Sequence, residues 1–260
     1  MRATLRAVAT VDVNGFTMYY QVRGEGEPLL LLHGGTGIGA DWRHVFPTDP
    51  DGYRLIVPDL RGHGRSTNPS REFTFRQCAR DVLALLDHLA LPRVKAIGMS
   101  MGAKTLLHVA TADRDRVGAM VLVSATPYFP AAARAAMARF DAAAISESEW
   151  TALRARHVHG DDQIRALWEM TRRFATSYDD MAFTPPLLAT ITARTLVVHG
   201  DRDPFYPVEM ALELHRGIPA SALWVVPYGG HGPIFGGQAA QFAELALAHL
   251  RESGSRNGHS

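Results

Sequence analysis

The 260-residue sequence is short of cysteine, of long apolar runs and of charge of one sign, and each shortage closes a class of function. Its single cysteine, Cys78, has no partner for a disulfide within the chain. That excludes a small stapled scaffold and points to a reducing compartment. No run approaches the roughly 20 apolar residues needed to span a bilayer. The first ten residues alternate polar with apolar and lack the continuous apolar stretch of a signal peptide. A cytoplasmic protein is the expectation. Lys and Arg number 27 against 26 Asp and Glu, a formal net charge of +1, and no basic stripe stands out. Neither nucleic acid nor a membrane is therefore an expected partner. A small-molecule substrate is. Repeats and low-complexity tracts are also missing.

What the chain does have is length for one large core and a regular alternation of strand and helix signals. Residues 4–9 and 16–23 read as strands around an Asn14-Gly15 hairpin turn. Leu29 to Leu32 is a four-leucine run bounded by turn residues, the pattern of a strand buried on both faces. Further short apolar strands are read at 54–58, 94–98, 117–124, 195–199 and 222–227. Helical spacing covers 74–89, where Cys78, Val82, Leu85 and Leu89 share a face, and returns at 238–250. Between 127 and 186 the pattern is helical without strands: an Ala-rich 131–142, a capped stretch from Ser146 to about His157, and another that Asp161 opens. The expected fold is α/β: a mostly parallel, doubly wound sheet of about eight strands with a helical cap inserted after the sixth. The expected divisions are a core of 1–126 and 187–251, a cap of 127–186 and a flexible tail of 252–260.

The chain is organised around residues 94–103, where an apolar run ends in Gly98-Met99-Ser100-Met101-Gly102 and a helical run follows at once. A strand turning sharply into a helix exposes the serine hydroxyl and leaves the Met101 N–H unpaired at the helix start. A serine hydroxyl needs a base, and the base an orienting acid. In a parallel sheet both must lie just beyond strand ends. Gly200-Asp201-Arg202-Asp203 follows one strand and Gly229-Gly230-His231 the next. Four motifs in order, His33-Gly34-Gly35, Gly62-His63-Gly64-Arg65-Ser66, the Ser100 pentapeptide, and Gly200 to Asp203 with His231 downstream, make the sequence resemble the α/β-hydrolase fold family. The resemblance implies Ser100 as nucleophile, His231 as base and Asp203 as acid. It also implies an oxyanion hole from the N–H groups of Gly35 and Met101, and catalysis without a cofactor. The family spacing of glycine, two residues, then aspartate favours Asp203 over Asp201. The position after the preceding strand, Ser124-Ala125-Thr126, offers no carboxylate.

The implied activity is cleavage of a carboxylic ester or lactone through an acyl-enzyme. Serine at 100 argues against the family's epoxide hydrolases and haloalkane dehalogenases, which use aspartate. Carbon–carbon hydrolases of the meta-cleavage type are an alternative, although many carry tryptophan after the catalytic histidine, where this chain has Gly232. A cofactor-free perhydrolase or haloperoxidase, or a non-catalytic binding protein, are others. Met99, Phe129, Trp168, Phe174, Phe205, Tyr206 and Phe235 are the expected pocket residues. His33 and His63 read as loop-shaping hydrogen bonders. The segment His157-Val158-His159-Gly160-Asp161-Asp162 resembles a metallo-β-lactamase metal motif, but it lacks the final histidine and follows no strand, so no metal is expected. Gly34 to Gly37 lacks the Lys-Ser/Thr of a phosphate-binding loop.

Overall fold

The computed structural model describes residues 6–251. The tail expected to be flexible, and the first two residues of the first expected strand, lie outside that range. Eight strands form one sheet: β1 (Arg6–Val13), β2 (Phe16–Arg23), β3 (Glu27–Leu32), β4 (Tyr53–Pro58), β5 (Val94–Met99), β6 (Val117–Val123), β7 (Arg194–Gly200) and β8 (Ser221–Val226). Their spatial order is β1-β2-β4-β3-β5-β6-β7-β8. The β1/β2 and β2/β4 pairs are antiparallel and all later pairs parallel. Asn14 and Gly15 turn the first hairpin with φ of 45° and 81°, the left-handed pair that matches strand twist.

The helices are α1 (Phe75–His88), α2 (Met101–Ala112), α3 (Ala131–Met137), α4 (Glu147–Arg156), α5 (Asp161–Arg173), α6 (Pro185–Leu188), α7 (Val208–Gly217) and α8 (Ala239–Arg251). Thr74 caps α1 by accepting from the Gln77 N–H, and Ser146 caps α4 by accepting from the Glu149 N–H. Asp161, expected as a cap, is instead the first residue of α5. Gly160 takes the cap position at φ 87°, outside the comfortable range of a side-chain-bearing residue. The segment between β6 and β7 contains α3 to α6, short 3₁₀ turns and no named strand. Helix α7 is absent from the sequence reading. Among the described residues no helix is long and apolar enough to cross a membrane.

The strand alternation sorts the core into two layers. Leu30, Leu32, Ala96, Met120, Leu122 and Val197 face one way, into a cluster shared with α1, α2 and α7. Leu29, Leu31, Ile97, Val121, Val123 and Val198 face the other, against Phe242, Ala246 and Leu250 of α8. All four leucines of β3 are completely buried, each contributing about 1.5–3 kcal/mol. Central strands therefore carry continuous apolar runs, because neither face meets water.

The β5–α2 corner is set by two glycines. A Cβ on Gly98 would stand 2.6 Å from the Gly102 backbone, and one on Gly102 would stand 2.3 Å from the Leu32 carbonyl oxygen. Backbone cannot yield as a flexible side chain can. Gly98→Ala is expected to destabilise the fold by about 2–3 kcal/mol, read as a lower urea midpoint. A change below about 0.5 kcal/mol, the range of neutral surface substitutions, contradicts this packing.

Candidate active site

Strand ends β5, β7 and β8 bring three side chains together. Ser100 sits between β5 and α2 at φ 47°, ψ −102°, a strained conformation for a non-glycine residue. Its N–H donates to the Val123 carbonyl at 2.7 Å, and its own carbonyl accepts from the Lys104 N–H at 3.0 Å. The residue is only 8% exposed. Its hydroxyl lies 2.8 Å from His231 Nε2, and His231 Nδ1 lies 2.7 Å from Asp203 Oδ2. With Nδ1–H donating to the carboxylate, Nε2 is free to accept the serine proton.

Each partner is itself held. The Asp203 carboxylate is fully buried and His231 keeps 22% of its side chain exposed. The other carboxylate oxygen, Oδ1, accepts from the N–H groups of Phe205 at 2.8 Å and Tyr206 at 3.1 Å. Burial alone raises the Asp203 pKa. The hydrogen bond and charge of His231, helped by those two N–H groups, outweigh it and hold the acid below its usual range. Asp201, the rival acid, is exposed. The Ser124 hydroxyl donates to the His231 carbonyl at 2.8 Å, so the position with no carboxylate after β6 anchors the histidine backbone instead. Rings of Phe205 and Tyr206 meet the imidazole edge-on at 4.9 and 5.4 Å between centroids.

The N–H groups of Gly35 and Met101 have no protein acceptor among the described residues, and both residues line the same cavity as Ser100 and His231. That loop is fastened by histidines. His33 Nε2 accepts from the Leu60 N–H at 2.9 Å, and His63 Nδ1 donates to the Arg61 carbonyl at 3.0 Å. His157, at the end of α4, accepts from the Gly64 N–H at 2.9 Å and donates to the Thr36 carbonyl at 3.1 Å. Both nitrogens of His157 are thus committed to backbone. No metal-holding group of three His, Cys, Asp or Glu occurs among the described residues.

The cavity measures about 220 Å3. Of the seven expected pocket residues, Met99, Phe129, Phe174, Phe205 and Tyr206 line it. Trp168 and Phe235 do not. On α5 the inward stripe is Ile164, Leu167 and Met170. Trp168 lies one residue off that stripe and opens onto a separate, larger cavity of about 650 Å3 among Arg139, Arg165, Arg172 and Glu169. Phe235 packs against the α8 side of the sheet. Phe75, Lys104, Met137, Phe140 and Thr171 also line the site and are additions to the sequence reading.

Two family models match the chain, one described as alpha/beta hydrolase fold over residues 27–144 and one as TAP-like protein over residues 177–253. The chain belongs to the α/β-hydrolase fold family and is a hydrolase. It is 29% identical over 274 residues to a 2-hydroxy-6-oxo-6-phenylhexa-2,4-dienoate hydrolase of Comamonas testosteroni, covering 94% of this chain and 95% of that one. Similarity to a soluble epoxide hydrolase of Corynebacterium sp. strain C12 reaches 36% but over 115 residues, 44% of this chain and 40% of that protein. The meta-cleavage product hydrolase of Pseudomonas fluorescens IP01 superposes with a TM-score of 0.77 at 21% identity, covering 93% of this chain and 97% of that one.

The buried histidines carry a pH prediction. Burial, with smaller repulsion from His33 and Arg156, draws His157 down from 6.5 to about 4. Burial also lowers His33 and His63. A histidine kept neutral in the folded state binds a proton more readily when unfolded. Its stabilisation is complete above about 6.5 and is lost as pH falls toward about 4. The unfolding midpoint is expected to fall across that window. His157→Gln should flatten the loss by up to ~3 kcal/mol. An unchanged slope in the variant contradicts the burial argument.

Proposed function

We propose that the protein hydrolyses a carboxylic ester or lactone through an acyl-enzyme, with Ser100 as nucleophile, His231 as general base and Asp203 as its orienting acid. The observation that carries this reading is the unbroken hydrogen-bonded chain of 2.8 Å and 2.7 Å from the Ser100 hydroxyl through His231 to Asp203. As Ser100 Oγ attacks the carbonyl, its proton passes to His231 Nε2. The resulting oxyanion lies against the N–H groups of Gly35 and Met101, where each donor contributes roughly 3–4 kcal/mol in sites of this type. The imidazolium, stabilised by Asp203, gives the proton to the leaving alcohol. Water then attacks the acyl-serine with the same histidine as base, releasing the acid and restoring the hydroxyl. The helices of residues 127–186 act as a cap that supplies Phe140, Thr171 and Phe174 to the pocket wall, and the enzyme works in the cytoplasm on a small-molecule substrate.

A second reading, carbon–carbon hydrolysis, is favoured by the name of the Comamonas relative, which aligns over nearly its whole length. The same three side chains would serve it. Two observations favour the ester. Gly232-Pro233 follows His231, where many meta-cleavage hydrolases carry tryptophan. The cavity, about 220 Å3, falls below the roughly 300–1,000 Å3 of pockets that enclose drug-sized ligands, so a compact acyl group fits better than an aryl dienoate. Similarity to epoxide hydrolases does not extend to the reacting residue, because position 100 is serine.

The test is a substrate panel of short neutral esters, lactones and a phenyl-substituted oxo-dienoate. Ester or lactone turnover is expected to exceed dienoate cleavage. Ser100→Ala should lower it by at least about 10⁴-fold and Asp203→Asn by roughly 10³–10⁴-fold. Dienoate cleavage with no ester turnover would favour the second reading. Ester turnover by Ser100→Ala within about tenfold of the parent would remove the serine from the mechanism.

A further inference from the structure

We propose that Lys104 is the specificity-determining residue of the acyl pocket, and that the substrate's acyl portion carries a carboxylate or an equivalent anionic oxygen held by its ammonium. The proposal rests on the reading of Ser100 as nucleophile and deepens it by naming the substrate class.

Lys104 stands one helical turn after Ser100, and its N–H donates to the Ser100 carbonyl at 3.0 Å. Both residues line the cavity. The lysine is only 3% exposed. Its Nζ donates to the Tyr206 hydroxyl at 3.0 Å and lies 5.5 Å from the ring centroid of Phe75, 5.5 Å from that of Phe129 and 4.8 Å from that of Tyr206. An ammonium has three donors, and among the described residues the Tyr206 oxygen is the one acceptor it meets. Asp203, whose charge reaches it, is already committed to His231 and two backbone N–H groups.

Burying a cation without a counter-charge is costly. The three rings offset part of that cost through their faces, and what remains is visible in the ammonium's proton affinity. Burial draws it down to about 7, against the opposing pull of Asp203. Packing alone does not call for a lysine here, since methionine fills a similar volume in an aromatic setting without the penalty. A desolvated cation with two uncommitted donors, set among the rings of Phe75, Phe129 and Tyr206 in the cavity wall, is the arrangement that an incoming anion completes. Ser100 and Lys104 line one compact cavity of about 220 Å3, so a short acyl chain links a carbonyl at Ser100 to an anion at Lys104. Half-esters of short dicarboxylic acids have that shape.

The experiment compares monomethyl glutarate and monomethyl adipate with their neutral counterparts methyl valerate and methyl hexanoate, following acid release in a pH-stat. In the parent protein kcat/KM for the half-ester is expected to exceed that for its neutral counterpart by at least about tenfold. Lys104→Met should collapse that ratio by at least about tenfold, chiefly through KM of the half-esters, and Lys104→Arg should restore part of it. Because the readout is a ratio, a general loss of folded protein cancels. Should Lys104→Met not fold, inhibition of methyl hexanoate hydrolysis in the parent protein decides: free glutarate should inhibit well below the concentration at which valerate does. A parent ratio near one, a ratio unchanged in Lys104→Met, or equal inhibition by glutarate and valerate overturns the role of Lys104 and leaves the ester-hydrolase reading standing. Hydrolysis of none of the four esters, together with no turnover of lactones, overturns that reading itself.

Discussion

The arrangement at the carboxyl edge of the sheet depends on one backbone constraint, the corner at Ser100. A residue with a side chain is held at φ 47°, a conformation costing of order 1–3 kcal/mol wherever it occurs. It persists because its surroundings over-determine it. The Ser100 N–H is taken by β6 through Val123, the Gly102 N–H by the His33 carbonyl, and the Lys104 N–H by Ser100 itself. Gly98 and Gly102 admit the backbone contacts that a Cβ on either would block. From this corner follow the direction of the hydroxyl toward His231, the Met101 N–H left without a protein acceptor among the described residues, and the place of Lys104 in the cavity wall. Strain at one residue places the candidate nucleophile, part of the candidate oxyanion site and one side of the cavity together.

The loops around the corner are tied mostly by hydrogen bonds between side chain and backbone, which fix position without needing an apolar core of their own. Asp59 accepts from the N–H groups of Gly39 and Arg65, and His157 spans the Gly64 N–H and the Thr36 carbonyl. The segment between β6 and β7 is thereby fastened to the glycine loop beside Ser100. Its placement and the shape of the cavity are one structural problem rather than two.

Much of this was readable in the residues, and for identifiable reasons. The leucines of β3 announce a strand buried on both faces, since no other short element needs four consecutive apolar side chains. The glycine spacing around Ser100 and the positions of Asp203 and His231 after successive strands mark where the chain must converge. Face assignment within 127–186 was less accessible. Trp168 and Leu167 are neighbours, and a rotation of one residue about α5 decides which of them points inward. Asp161 reads as a cap because its side chain suits one, but Gly160 reaches the backbone angle that the turn requires. Lys104 is not legible in the sequence because a lysine in a helix ordinarily faces water. Its burial depends on Phe75, Phe129 and Tyr206, which are distant in sequence.

The proposed chemistry requires Ser100 to be the group that forms the covalent intermediate. Mass spectrometry after treatment with a fluorophosphonate tests it most directly. A single adduct mapping to Ser100, formed in step with loss of ester hydrolysis, is the predicted result. An adduct on another residue that abolishes turnover, or full turnover with Ser100 modified, would contradict it.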